Sequence, residues 1–164
     1  MAGPLDQVLR HNSWATLSLL EFCRSLDPEA LELSATGTYG TLYGTLQHLV
    51  GGEQWYISLL TGEWLGGRPV RRDERRSLDD LIAVATAVGQ RSVTVAPVED
   101  AQRRVDLGGG EWATAGIILA QLVHHGNEHR TQATTILGAN GIDPPSLGAW
   151  AYGIATGIAQ GEMR

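Results

Sequence analysis

The chain has 164 residues, 43% of them hydrophobic and 18% charged, and a formal net charge of −6 at pH 7. That length fits one domain over residues 1–164, able to bury a core without disulfide staples. An acidic balance with no concentrated basic face argues against a nucleic-acid surface, and no apolar run approaches the ~20 residues that cross a bilayer.

The opening Met-Ala-Gly-Pro-Leu-Asp-Gln has neither a basic segment nor an apolar one to direct export, so a cytoplasmic location is expected. A single Cys23 agrees with a reducing compartment, and its place among apolar helix positions makes it a buried small hydrophobe rather than a nucleophile.

Apolar residues recur at helical spacing from Leu5 to about Leu26, which predicts a first amphipathic helix carrying His11 and Trp14. Asp27-Pro28 ends it, because the residue before proline is pushed out of the α region. A loop with one short turn follows as far as Gly40; in Ala35-Thr36-Gly37-Thr38-Tyr39-Gly40 glycine and threonine punctuate without a period, as in turns. The second helix, Thr41 to Thr61, is apolar on more than one side and should be largely buried, with Gly62 closing it. Gly44, Gly51 and Gly52 lie inside it although each costs about 1 kcal/mol relative to alanine. Close approach of a neighbouring helix, or of a ligand near His48, would offset that cost.

The polar connection Gly62 to Arg76 holds Arg68, Arg71, Arg72, Arg75 and Arg76, interrupted and followed by Asp73, Glu74, Asp79 and Asp80. A solvated connecting segment is the preferred reading, an anionic-ligand site the alternative. Ser77 caps a third helix, Leu78 to Val95, with a carboxylate in its first turn. An extended or hairpin-like linker then runs through Gly108-Gly109-Gly110. A fourth helix extends from Thr114 to the Asn140-Gly141 turn, and after Asp143-Pro144-Pro145 a glycine-rich last helix is expected from Leu147 to Met163. The class is all-α: a four-helix bundle with an additional C-terminal helix and long connections. Its topology need not be simple up-down-up-down.

The fourth helix carries His125 and His129 at i and i+4, one turn apart on one face, where two imidazoles can grip one ion at about 2.0–2.1 Å each. His48, inside the apolar pattern of the second helix, supplies a third ligand. Three neutral nitrogens with a position left open describe a catalytic rather than a structural metal site. Gly126 stands where a zinc protease would carry its catalytic glutamate, so the His-Glu-x-x-His reading fails. His124 points about 100° away from His125 and stays outside the set. Glu128 and Arg130 flank His129 and are expected to make intrahelical or solvent contacts.

The stretch Thr45-Leu46-Gln47-His48-Leu49 resembles, together with Gly52-Glu53-Gln54-Trp55 and His124-His125-Gly126-Asn127-Glu128-His129-Arg130-Thr131-Gln132, the DinB/YfiT-like family. His11-Asn12-Ser13-Trp14-Ala15, Gly141-Ile142-Asp143-Pro144-Pro145 and Trp150-Ala151-Tyr152 are similar to that family's ends. The resemblance implies a bundle of unusual helix order, a divalent metal on His48, His125 and His129, and a homodimer. It also implies thiol-dependent transferases and isomerases that use low-molecular-weight thiols such as bacillithiol or mycothiol.

The leading expectation is therefore a metal-dependent thiol S-transferase, with zinc as the default ion and nickel as the alternative. The partners expected are a small thiol and an electrophile, with no nucleic acid and no membrane. His11, Trp14, Trp55 and Tyr56 are the expected substrate-binding residues, as aromatic walls of an apolar pocket. A metal-dependent hydrolase is the first alternative, and a non-catalytic metal- or ligand-binding stress-response protein the second.

Overall fold

The computed structural model describes residues 3–161. Five α-helices and one small hairpin make up its regular structure, in the order α1 (Pro4–Arg24), a 3-10 helix (Pro28–Glu32), α2 (Leu42–Thr61), α3 (Leu78–Val95), β1 (Arg104–Gly108), β2 (Glu111–Thr114), α4 (Ala115–Ala139) and α5 (Ala149–Ala155). The ends are set by local chemistry. Thr41 and Ser77 accept backbone N–H bonds from Gly44 and Asp80 at 3.1 and 3.0 Å, capping α2 and α3. Gly62 closes α2 in the left-handed region at φ 76°.

Helix α2 packs on α4 and α3, and α1 packs on α3 and α4, so the order around the bundle is α1, α3, α2, α4. Both α1 to α2 and α3 to α4 must therefore cross the bundle, which is why those connections are long. The second crossing contains the antiparallel β1–β2 hairpin, turning through Gly108, Gly109 and Gly110, all at positive φ. Thr114 ends β2 and is also the N-cap of α4.

Leu42, Leu46, Leu49, Val50 and Ile57 of α2 are fully buried and meet Leu19 and Leu20 of α1, Leu81 of α3, and Ile136 and Leu137 of α4. Each such side chain contributes about 1.5–3 kcal/mol through burial, which is what holds the bundle closed. The last helix is shorter than its pattern suggests. It ends at Ala155 because Gly157 turns left-handed at φ 73° and the N–H groups of Ile158 and Ala159 both return to the Gly153 carbonyl. Met163, the expected end of that helix, lies outside the described residues. No helix among the described residues is long and apolar enough to cross a membrane.

Buried amides on α2 tie down the segment between α2 and α3. Gln54, 1% exposed, donates to the Leu65 carbonyl at 2.7 Å and accepts from the Val70 N–H at 2.8 Å. Gln47 donates to the Arg71 carbonyl at 2.7 Å, and the Arg76 N–H bonds to the Tyr43 hydroxyl at 2.7 Å. Replacing Gln54 with leucine keeps the packing volume but strands the Val70 N–H and the Leu65 carbonyl. We expect a loss of about 1–3 kcal/mol, read as a lower urea midpoint with unchanged slope; an unshifted midpoint would show that water replaces the amide without cost.

Candidate metal centre

Two helices bring the three histidines together. His125 and His129 project from one face of α4, both 6% exposed, and His48 reaches them from α2. One nitrogen from each lies within 4.8 Å of the others, a grouping that could hold a metal ion. The Nε2 atoms of His48 and His125 are 3.4 Å apart. Two nitrogens on one tetrahedral ion at about 2.0–2.1 Å stand roughly 3.3–3.4 Å apart, so this pair already has the spacing of two ligands.

The tautomer of neutral His129 follows from its neighbours. Gln132 Oε1 accepts the Tyr39 backbone N–H at 3.1 Å, which fixes that atom as the oxygen of the amide. The same oxygen lies 3.1 Å from His129 Nδ1, which must carry the proton to bond it. His129 thereby presents an unprotonated Nε2, as in sites where a hydrogen bond on the outer nitrogen sets the ligand tautomer. His125 Nδ1 is buried with no partner, while its Nε2 faces His48.

Burial, then the neighbouring His129 and His48, pushes the His125 pKa down to about 3. Burial followed by His129 also lowers His48. Both rings are neutral at neutral pH, the form that ligates metal. Cys23 goes the other way, its thiol pushed up to about 12 by burial, which leaves it no thiolate role.

Aromatic rings enclose the cluster. Tyr39 stacks on His48 with centroids 4.0 Å apart, and Tyr56 meets His125 edge-on at 5.4 Å. Trp55 lies beside Tyr56 and is 41% exposed. Of the residues expected on the wall, Tyr56 thus touches the cluster and Trp55 stands one ring further out. His11 and Trp14 are elsewhere: they pack with Tyr152 of α5, and His11 Nε2 bonds the Leu147 carbonyl at 2.8 Å. The docking of α5 on α1 takes up that face of the first helix. His124 is exposed, 3.7 Å from Glu128 one turn on, and has no part in the cluster.

Arg130 departs from its sequence expectation. Instead of facing solvent it is 4% exposed, donating to Asn12 Oδ1 and to Thr16 Oγ1, each at 2.9 Å. Asn12 and Thr16 in turn donate to Glu53 Oε1 at 2.9 and 3.1 Å, and Arg130 stands 3.7 Å from that same oxygen. Burial raises the Glu53 pKa while Arg130 and the two hydrogen bonds pull it back; burial likewise lowers Arg130. One sequence signal was available. Glu53 is the only charged residue in α2, and a lone carboxylate in an apolar helix demands a partner.

The chain belongs to the DinB family, whose model matches residues 1–160. It is similar to a solved crystal structure of a DinB-like protein from Bacillus cereus, at 22% identity over 83% of this chain and 90% of that one, with a TM-score of 0.64. At that identity the likeness is one of fold. No curated protein matches the chain.

The site also explains a glycine. A Cβ on Gly52 would lie 2.6 Å from His125 Nε2, inside the ring's van der Waals envelope, so the imidazole rests on bare α2 backbone. Gly138 of α4 has nothing within 4 Å of such an atom. Alanine at Gly138 should stabilise by about 0.5–1 kcal/mol through helix propensity. Alanine at Gly52 should instead destabilise by about 1–3 kcal/mol through overpacking. Parallel urea titrations check the pair; stabilisation by both would mean that the His125 ring moves aside freely.

Proposed function

We propose that His48, His125 and His129 hold a divalent ion, zinc first and nickel second, and that the protein is a thiol S-transferase acting on a low-molecular-weight thiol and an electrophile. The observation that carries this reading is the convergence of three imidazole nitrogens within 4.8 Å of one another, the His48 and His125 pair already at the spacing of two ligands on one ion. A bound ion would supply positive charge that lowers the pKa of a thiol or a water beside it. The chain's own residues do the rest. Gln132 fixes the His129 tautomer, Gly52 seats His125, and Tyr39 and Tyr56 flank the cluster with apolar area for substrate. In the transfer, the thiol proton leaves to solvent, sulfur bonds the electrophilic carbon, and the leaving group departs with its electron pair.

Thiol transfer is favoured over hydrolysis by the state of Glu53. A hydrolase is helped by a protein base, but this carboxylate is fully enclosed and committed to Asn12, Thr16 and Arg130. A thiol with a lowered pKa needs no such base.

We expect alanine at His48, His125 or His129 to cut metal content at least tenfold, and alanine at His124 to leave it intact, by elemental analysis of protein purified without a metal-affinity tag. Thiol addition to an electrophile should track metal content. Full occupancy without His48 would overturn the ligand set, and metal uptake with no turnover on any common cellular thiol would leave a binding protein.

A cytoplasmic homodimer completes the proposal. Val8, Trp150 and Ile158, 42%, 79% and 60% exposed, line one shallow apolar cavity between α1 and the C-terminal segment. Apolar side chains gathered on one face favour association. Light scattering should return twice the chain mass at micromolar concentration, and the monomer mass would exclude the dimer.

A further inference from the structure

The segment between α2 and α3 carries five arginines, and the structure divides them. Arg68 pairs with Glu74, Arg75 with Glu32 at 2.7 Å, and Arg76 donates to the Arg68 and Pro69 carbonyls, each at 3.1 Å. Those three are committed to holding the segment together. Arg71 and Arg72 have no carboxylate within ion-pair distance among the described residues. Both line a cavity of about 320 Å³ whose wall includes His48 of the histidine cluster.

The cavity is built rather than incidental. Part of its lining is α2 at Gly44, Gly51 and Gly52. A Cβ on Gly51 would meet the Val70 carbonyl at 3.0 Å, so the arginine-bearing segment lies directly on α2. Its backbone is fixed there by buried Gln47 and Gln54, at the Arg71 carbonyl and the Val70 N–H. The Arg72 guanidinium stands over Tyr39, 5.6 Å from the ring centroid, and Tyr39 is stacked on His48. A run of guanidinium, phenol and imidazole thus leads from the open side of the cavity to the cluster. Among the described residues no carboxylate lines this cavity, although the whole chain is acidic at −6. The volume suits a small molecule at the lower end of the usual ~300–1,000 Å³.

We infer that Arg71 and Arg72 form an oxyanion subsite, so that the molecule handled at the histidines is a small organic acid or phosphate ester with its anionic end between the two guanidiniums. Planar guanidinium forks match carboxylate and phosphate oxygens in pairs and are the side chains that recognise them best. The inference rests on the histidine cluster being the reacting end, but its test can fail separately.

The experiment is calorimetric titration of the full chain with succinate, inorganic phosphate and dimethyl succinate at low ionic strength, using zinc-supplied and chelator-treated protein. Arg71→Gln/Arg72→Gln is compared with Arg10→Gln/Arg24→Gln, which removes equal charge elsewhere; melting curves confirm that both variants fold. We expect the first pair to weaken succinate or phosphate binding by about tenfold or more, the second to leave it within about twofold, and the ester not to bind. The tighter of the two anions tells whether carboxylate or phosphate is preferred. Equal binding by wild type and Arg71→Gln/Arg72→Gln, equal losses in both double variants, or ester binding as tight as succinate would overturn the subsite. Zinc uptake measured on the same samples reports on the cluster independently: arginine-dependent anion binding without zinc uptake would retain the subsite and remove the metal reading.

Discussion

The contact on which the rest depends is the buried meeting of Glu53 and Arg130. Each would be costly alone in the core, and removing one partner of such a pair typically costs about 3–5 kcal/mol because the other is left charged and dry. Here Asn12 and Thr16 of α1 bridge the two, Asn12 through its amide and Thr16 by donating and accepting through one hydroxyl. Three helices are locked in one rotational setting by four side chains. Since Arg130 follows His129 directly and Glu53 follows His48 by five positions, the same lock sets how the imidazoles of α2 and α4 face each other. The pair thus acts as a register device, the role for which buried ionic groups are best attested.

That lock also accounts for what stands between the two α4 histidines. A Cβ at Gly126 would lie 2.5 Å from Asn12 Oδ1 and 2.9 Å from Glu53 Oε1, so the position directly after His125 must be bare. The glutamate of a zinc-protease helix has no room at that position. The absence of His-Glu-x-x-His is therefore a packing consequence as well as a difference in chemistry. Gly51 and Gly52 divide a similar duty on α2: one admits the Val70 carbonyl, the other the His125 ring. Two adjacent helical glycines, an unfavourable pair by propensity, make sense once both flanks of the helix are occupied.

Much of this was legible in the sequence. The α3 boundaries, the Ser77 cap and the Gly62 stop follow from local rules, and the i, i+4 spacing places His125 and His129 on one face whatever α4 packs against. What was not legible depends on which helices are neighbours. Periodicity shows that α1 has faces to bury, but not that α5 takes the face with His11 and Trp14. Tyr39 belongs to a turn-like stretch with no period, so its stacking on His48 could not be read from pattern. Arg130 looked like an ordinary solvated helix residue because its partner lies 77 positions away on α2, at Glu53. Local rules carry no information about contacts of that range.

The ionisable groups in and around the histidine cluster sort into three kinds, and the sorting bears on what the site can accept. Glu53 and Arg130 cancel each other inside the bundle. His48 and His125 are held toward the neutral form by burial first and by the neighbouring His129 second. Arg71 and Arg72 remain uncompensated at the cavity beside His48. Three neutral imidazoles would leave a dication with its full formal charge, unlike a thiolate or carboxylate ligand set, so negative charge is most favoured on whatever occupies the remaining position. With the ion and the subsite proposed above, the cluster and the arginines would select in the same direction, joined through Tyr39. A neutral substrate would leave both ends unsatisfied, whereas an anion that also presents a thiolate would satisfy both at once.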